Sequence, residues 1–444
     1  MEGECNSPLR HVEIFQEILR FRRKILSIGL PILVSQGSLI VWGFFSILVI
    51  RILPTEAYAA YSVARSVQIF SVMLGGSFVM QSIVKYISEN NSDRERKIAN
   101  AGIVLSMSMA ALIGILLVST GNLLQSFYSE IDLRGIPMAL AILVITSTAS
   151  MLPQNLLAAR HRTREIMWSQ ISSVVVRILV VSVFILLDSL RSPIQIFEAM
   201  IAGNLASMIV GFVFIRDMVS FSLGLDKEHI RMLFGFAVVS LGAGIAGNIY
   251  TRTDILLLGK MVADTEVSGY AASRTLTALV DNINMAAKIL VLPLFSRMWN
   301  QGQRDQIVRR VMSTIMIISI IQLPAIVLYA GFPGRVLHTL YGGKYDAAWP
   351  VLMVLGFITV IKPFGSIFSC MSVAIGKPSY SLYSVLTSAG INVGMNLLLI
   401  PRYGGLGAAI ATGLSIIIGA LVVIILSLRQ LRRGRPGMLY SNGH

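Results

Sequence analysis

Apolar runs long enough to cross a membrane recur along the entire chain, and they restrict the fold more than any other feature of the sequence. A helix needs about 20 apolar residues to span the hydrocarbon core of a bilayer. The chain contains twelve such runs, near residues 25–50, 56–82, 99–121, 135–159, 166–187, 194–215, 233–259, 266–293, 308–331, 348–375, 379–400 and 404–427. Only 13% of its 444 residues are charged, whereas soluble domains carry about 25%. The sequence therefore predicts an all-α polytopic membrane protein with about 12 transmembrane helices.

The basic residues predict how these helices are oriented. Of the 37 Lys and Arg residues, 24 fall in the tails and loops on one side, 7 in the loops on the other and 6 within the runs. Because cytoplasmic loops are enriched in Lys and Arg, this bias places both termini in the cytoplasm. The net charge of +15 then faces anionic lipid of the inner leaflet, so a nucleic-acid partner is not needed to explain it.

A weak internal repeat suggests two pseudo-symmetric halves. The segment YSVAR (61–65) has a counterpart in YAASR (270–274), and LAARHRT (157–163) has one in SVAIGKP (372–378), at nearly the same offset. The predicted organisation is a cytoplasmic amphipathic segment (1–24), a six-helix bundle (25–215), a cytoplasmic linker (216–232), a second six-helix bundle (233–428) and a basic cytoplasmic tail (429–444). In membrane proteins built from such repeats, binding sites usually lie between the halves near the midplane.

Charged residues inside the apolar runs are the candidate functional residues, because each costs roughly 2.5–3.5 kcal/mol at the centre of a membrane helix. Six are basic and two are acidic: Arg65, Arg177, Arg252, Arg274, Lys288 and Lys362, with Asp254 and Asp281. A third acidic residue, Glu198, lies near the outer end of its run. Two or three carboxylates cannot neutralise six cations, so we predict a wet cavity of positive potential that takes an anion such as a phosphate. The alternative is that some of these residues are structural ion pairs between helices.

The run at 266–293 carries Arg274, Asp281 and Lys288 at seven-residue spacing, which places all three on one helical face. Seven residues rise about 10.5 Å, so Asp281 needs a partner from another helix, water or substrate. Asp254 and Arg274 lie at similar distances from the loop that joins their runs, which predicts an interhelical pair between them.

Polar and proline residues in the later runs add two further predictions. Asn392 and Asn396 are four residues apart and share a helical face. Pro363, directly after Lys362, predicts a kink beside a cation. The sequence has no nucleotide-binding loop, catalytic triad or metal-ligand spacing, so we expect neither an enzyme nor a metal site.

Several segments resemble the polysaccharide (Wzx-type) flippases of the MATE-like MOP transporter superfamily. They are RTDILLLGKMVADTEVSGYAASRTL (252–276), LPLFSRMWNQGQRD (292–305), YGGKYDAAWPVL (341–352) and LLIPRYGGLGAAIAT (398–412). The resemblance implies two bundles that open alternately around a cationic lumen. It also implies transport of a polyprenyl-diphosphate-linked oligosaccharide, such as an O-antigen or exopolysaccharide repeat unit, across the cytoplasmic (inner) membrane.

The same resemblance assigns roles to individual residues. Arg65 corresponds in position to an arginine that related flippases use against the diphosphate, and we expect Arg177 and Arg274 to assist it. A coupling-cation site in relatives involves the seventh, eleventh and twelfth spanning helices, which correspond here to the runs 233–259, 379–400 and 404–427. The ion-coupling candidates are therefore Asp254, Asn392, Asn396 and Thr412, with Asp281 as a further one. The expected protein is a monomer without cofactors, coupled to Na+ or H+, beside anionic lipid and polysaccharide assembly enzymes. A MATE-type multidrug antiporter is the alternative function.

Overall fold

The computed structural model describes residues 30–88, 92–216, 218 and 227–433. Every regular element in these ranges is a helix, as the apolar runs predict. The predicted amphipathic segment (1–24), most of the predicted linker (216–232) and the end of the predicted tail (429–444) lie outside the described residues.

The N-terminal helices, within residues 30–216, begin and end close to the predicted apolar runs. They are α1 (Leu30–Ile52), α2 (Thr55–Val72), a π-helical turn (Met73–Ser77), α3 (Phe78–Ser88), α4 (Ser92–Ser119), the short α5 (Gly121–Phe127), α6 (Ile136–Ala159), α7 (Thr163–Leu186) and α8 (Pro193–Ile215).

The C-terminal helices, within residues 227–433, are longer and more often interrupted. They are α9 (Lys227–Met261), α10 (Asp264–Asn300), α11 (Arg304–Ile326) followed by a π-helical turn (Val327–Gly331), α12 (Pro333–Tyr341), a 3₁₀ turn (Asp346–Ala348), α13 (Trp349–Thr359), α14 (Lys362–Ala374) and α15 (Pro378–Arg433).

Within the described part of the chain, ten helical stretches are long and apolar enough to cross a membrane. This result agrees with the predicted class of multi-pass membrane protein. Two predicted runs, 379–400 and 404–427, are united in α15, which changes direction at Gly404 (φ 53°, ψ −132°). Glu266 accepts a hydrogen bond from the Gly405 N–H at 2.9 Å at this bend, so the start of the second arm of α15 is capped by a carboxylate from α10.

Glycines also break the predicted continuous run 56–82, which the sequence analysis did not anticipate. Gly76 has φ +122° and lies against the backbone of Ser106 in α4, where a Cβ would meet the Ser106 carbonyl oxygen at 2.8 Å. The Gly75 carbonyl, released from the regular helix, accepts a hydrogen bond from Thr148 at 3.3 Å. Only a residue without a side chain permits this approach, so the break separates α2 from α3.

The predicted kink at Pro363 is confirmed. Helix α13 ends at Thr359 and α14 begins at Lys362 with Pro363 in its first turn. Proline has no N–H to donate and fits the first turn of a new helix better than the interior of an old one. The interruption leaves Lys362 at a helix end inside an otherwise apolar stretch.

Hydrophobic clusters join the N- and C-terminal helices mainly at the end that the basic-residue count predicts to lie outside. One shared cluster includes Val63, Leu143 and Tyr270, and a second includes Leu53 and Tyr341. At the predicted inner end, one cluster combines N-terminal helices with the start of α9. Another draws all its members from residues 283–431. The two sets of helices are thus held together most extensively at the predicted outer end.

Polar contacts reinforce the outer-end closure. The Lys344 ammonium donates to the carbonyl oxygens of Arg51, Ile52 and Leu53, at 2.7, 3.3 and 3.2 Å, and so caps the C-terminus of α1. A cation at this position is favoured by the helix dipole. Desolvation lowers the pKa of Lys344, and the nearby Glu56 carboxylate opposes this shift.

Candidate functional site

A cavity of about 490 Å³ lies among the N-terminal helices and the middle of α9. This volume is in the range of about 300–1,000 Å³ that small-molecule sites occupy. Two of its lining residues are the predicted cations Arg65 and Arg177, and none is acidic. The others are mostly serine, glutamine and asparagine side chains, so the cavity offers many hydrogen bonds and a net positive charge.

Helical periodicity explains how four helices supply this polar wall. Their lining residues recur three, four and seven positions apart, which aligns them on one face of each helix. They are Arg65, Gln68 and Val72 on α2, Ser147, Ser150, Met151 and Gln154 on α6, Gln170, Ser173, Val174 and Arg177 on α7, and Met200, Asn204 and Ser207 on α8. The sequence analysis identified the arginines alone. A search for serine, glutamine and asparagine at helical spacing within apolar runs would have found the other polar residues of this list.

Arg177 is held at the wall of the cavity but is not neutralised there. One terminal nitrogen donates to the Asn204 side-chain oxygen at 2.8 Å, and the Asn204 amide in turn donates to the Ser147 hydroxyl at 2.9 Å. The Arg177 Nε is buried and has no hydrogen-bond partner within the described residues. The close approach of α7 and α8 at this point requires Gly203, because a Cβ there would lie 2.7 Å from that Nε.

Arg65 and Arg252 extend the positive charge from the cavity toward α9. Arg65 donates to Gln68 on its own helix, and its charge acts on both Arg177 and Arg252. The partly buried Arg252 guanidinium makes no hydrogen bond or ion pair with any described residue. A buried guanidinium that lacks a carboxylate carries a desolvation penalty, which a bound anion would offset.

The predicted pair between Asp254 and Arg274 is confirmed. Arg274 Nη1 forms an ion pair with Asp254 Oδ2, with the carboxylate fully buried and the arginine side chain 23% exposed. Arg274 Nη2 also donates to the Thr251 carbonyl at 2.6 Å. Tyr270 donates its hydroxyl hydrogen to the same carboxylate and lies 3.3 Å from the Thr412 hydroxyl oxygen. Arg274 therefore serves α9–α10 packing and does not line the cavity.

The partner of Asp281 also comes from another helix, as the seven-residue spacing requires. Lys362 Nζ, at the start of α14, lies 2.8 Å from Asp281 Oδ2, and the two side chains are 20% and 39% exposed. The third residue of the stripe, Lys288, forms no ion pair with any described carboxylate. Two of the six predicted cavity cations are therefore paired, and four have no carboxylate partner in the described ranges.

The remaining ion-coupling candidates lie between the two arms of α15. Asn392 and Asn396 are completely buried, and the Asn396 amide donates to the Asn392 oxygen at 3.0 Å. Ser388 donates to the Ser415 carbonyl at 2.9 Å, and continuing this antiparallel register brings residue 392 level with residue 411. Asn392 is therefore close to the level of Thr412, and Asn396 lies one helical turn beyond it.

Comparison with known proteins gives the family context of this geometry. A family profile described as "Polysaccharide biosynthesis protein" matches residues 47–350. That range includes every residue that lines the cavity except Leu39. It also includes the residues of the two ion pairs except Lys362.

Two curated relatives have names that concern glycan transport. The probable low-salt glycan biosynthesis flippase Agl15 of Haloferax volcanii is 24% identical over 226 residues, which are 51% of this chain and 48% of the relative. The succinoglycan biosynthesis transport protein ExoT of Rhizobium meliloti is 20% identical over 332 residues, 71% of this chain and 62% of the relative. The matched regions thus span about half to three fifths of these relatives' lengths.

Solved structures agree in fold over nearly the whole chain. The lipid II flippase MurJ in an inward closed conformation superposes with a TM-score of 0.71 at 14% identity, covering 91% of this chain and 90% of that one. An inward-facing multidrug resistance MATE transporter of the MOP superfamily has a TM-score of 0.67 at 14% identity, covering 92% and 97%. At these identities the agreement concerns the fold alone.

Proposed function

This chain belongs to the polysaccharide biosynthesis protein family, and we propose that it is a MATE-like flippase that flips a polyprenyl-diphosphate-linked oligosaccharide. The lipid-linked sugar moves from the cytoplasmic to the outer leaflet of the cytoplasmic membrane by alternating access. The transporter has twelve spanning helices in two bundles, at 25–215 and 233–428, with both termini in the cytoplasm. It works as a monomer beside anionic lipid and the enzymes that assemble the polysaccharide.

The observation that carries this proposal is the acid-free cavity between Arg65 and Arg177. A diphosphate carries negative charge and many acceptor oxygens, which guanidinium groups bind through charge-assisted, often bidentate, hydrogen bonds. Asn204 takes one terminal nitrogen of Arg177, and the other terminal nitrogen would donate to a phosphate oxygen. The unpaired Arg252 would supply a further positive charge on the α9 side.

The amide and hydroxyl groups of the cavity suit the sugar that follows the diphosphate. Gln154, Gln170 and Asn204 line the same space and both donate and accept hydrogen bonds. A volume of about 490 Å³ holds the head group and the beginning of the glycan, so the rest of the oligosaccharide extends toward the predicted inner end. The polyprenyl chain stays in the bilayer.

Alternating access then requires the outer-end closure to break and an inner closure to form. The shared clusters and the Lys344 cap hold the helices together in the present state. This arrangement corresponds to a state that loads from the cytoplasmic side. Movement of the C-terminal helices, with bending at Gly404 and at Lys362–Pro363, would expose the cavity to the other side.

A multidrug antiporter of the same fold is the alternative, and the charge of the cavity argues against it. Organic cations require carboxylates or aromatic rings for binding, whereas the cavity is lined by two arginines and no acidic residue. The paired Asp254 and Asp281 have cationic partners of their own.

The first experiment compares ligands by thermal unfolding of the purified protein. A ligand at about 100 times its Kd stabilises the folded state by about 2.7 kcal/mol. Polyprenyl diphosphate is expected to raise the Tm, and tetraphenylphosphonium is expected not to. Stabilisation by the lipophilic cation alone would refute the flippase proposal in favour of the antiporter.

Variants then test the cavity itself. Arg65→Gln or Arg177→Gln should each weaken polyprenyl diphosphate binding about tenfold or more, since hydrogen bonds to charged groups contribute about 1.5–3 kcal/mol. Arg134→Gln is the matched control, because this exposed arginine pairs with Asp132 far from the cavity. Equal weakening by the control would mean that overall charge, and not the cavity, determines binding. Flipping of a fluorescent lipid-linked oligosaccharide in vesicles should follow the same order.

A further inference from the structure

Asp254 is a fully buried carboxylate whose acceptor sites are already occupied by the protein. One oxygen accepts the Ile255 N–H at 2.9 Å. The other accepts hydrogen bonds from the Tyr270 hydroxyl and the Arg274 guanidinium. A carboxylate has about four lone-pair sites, so three of them are used by groups of this chain.

The surroundings of this carboxylate otherwise have the chemistry of a site for a small monovalent cation. The hydroxyl of Thr412 is next to that of Tyr270, so two hydroxyl oxygens lie together beside the carboxylate. Oxygen ligands of this kind suit hard cations such as Na+. The guanidinium of Arg274 nevertheless supplies the positive charge at this point.

Arg274 is fixed in that position from both sides. Besides the ion pair, its second terminal nitrogen donates to the Thr251 carbonyl at 2.6 Å, and its first lies 3.4 Å from the Tyr270 oxygen. A metal cation at Asp254 would have to displace these bonds and would repel a guanidinium that burial keeps close by. The site is therefore satisfied without an external ion.

We infer that Arg274 is a tethered counter-ion that occupies the cation position at Asp254, so that this chain binds no Na+ there and needs none to hold the present conformation. The consequence for energy coupling rests on the proposed flippase function: Na+ does not drive transport through Asp254. The sequence-based assignment of Asp254 and Thr412 as ion-coupling residues is replaced by an internal pair.

The experiment measures the Tm of the purified full-length protein in NaCl and in choline chloride at equal ionic strength. The wild type should have the same Tm in both salts. Arg274→Gln vacates the position beside the carboxylate, and its Tm should rise saturably with NaCl. Arg274→Lys keeps a tethered charge and should show no response to Na+.

A second variant identifies the carboxylate as the site of any gained binding. The double variant Asp254→Asn with Arg274→Gln leaves no charge in the pocket and should lose the Na+ response. If Arg274→Gln does not fold, radioactive ²²Na+ binding to the wild type decides the question. Saturable binding to the wild type that Asp254→Asn abolishes would overturn the inference, and its absence supports it.

These results are independent of substrate binding. Polyprenyl diphosphate binding depends on Arg65 and Arg177, which lie on other helices and do not contact Asp254. If the wild type does not bind polyprenyl diphosphate and its Tm does not respond to Na+, the proposed function is rejected and the inference about Arg274 stands. If the wild type binds polyprenyl diphosphate and also binds Na+ at Asp254, the inference is rejected and the proposed function stands.

Discussion

Two ion pairs on helix α10 offer a direct test of how burial determines the energy of a charge pair in this protein. Arg274 and Asp281 are two helical turns apart, and each pairs with a residue of another helix. Asp254 is fully buried and its partner 23% exposed, whereas Asp281 is 39% exposed and Lys362 20%. The test replaces one charged partner of each pair by an uncharged side chain, and then replaces both.

Removing one member of a buried pair leaves an uncompensated charge and costs about 3–5 kcal/mol. We therefore expect Arg274→Gln and Asp254→Asn each to reduce the free energy of unfolding by that amount. The double variant should recover much of the loss, because no charge remains buried. For the more exposed pair, Lys362→Gln and Asp281→Asn should each cost less than this, since the remaining charge is less completely desolvated.

The assay is reversible unfolding in mixed micelles of dodecyl maltoside and SDS, followed by far-UV circular dichroism, with a double-mutant cycle for each pair. The pair at Arg274 should show the larger coupling energy. Equal costs for the two pairs, or a double variant at Asp254 and Arg274 that loses as much as the sum of its single variants, would refute the reasoning from burial.

Three further substitutions test separate features of the fold. Gly404→Ala should lower the free energy of unfolding by about 1–3 kcal/mol in the same assay. The backbone conformation there (φ 53°, ψ −132°) is strained for a residue with a side chain. The new Cβ would also displace the capping carboxylate of Glu266. Lys344→Met should weaken the outer-end closure by about 0.3–1 kcal/mol, seen as faster hydrogen exchange in residues 341–348, and unchanged exchange would contradict its capping role. Tyr270→Phe removes a hydrogen bond to the Asp254 carboxylate and should cost about 1.5–3 kcal/mol of unfolding free energy, whereas a neutral effect would mean that the hydroxyl is dispensable.

Residue spacing was enough to predict the parts of this structure that depend on one helix or one loop. The apolar runs predicted the helices, and Pro363 predicted the break before α14. Equal distance from one short loop predicted the pair of Asp254 with Arg274, because two helices joined by a tight turn keep the same depth on either side of it.

Contacts between distant helices were beyond such reasoning. Lys362 and Asp281 are 81 positions apart, and nothing in the sequence relates the depth of α14 to that of α10. The break at Gly76 likewise depends on the approach of α4, although a Gly-Gly pair in an apolar run is a signal that could have been used.

The sequence by itself determined that the chain crosses a membrane many times and carries more cations than anions within its apolar runs. Hydropathy and composition are sums over residues, so they can be calculated without knowing which residues contact each other. The tertiary structure alone decided which cations have a carboxylate partner: Arg65 and Arg177 share a cavity, while Arg274 is bound to Asp254. That division depends on the rotation of each helix about its axis and on the neighbour that it meets. Side-chain packing over the whole bundle sets both, and local spacing does not encode them.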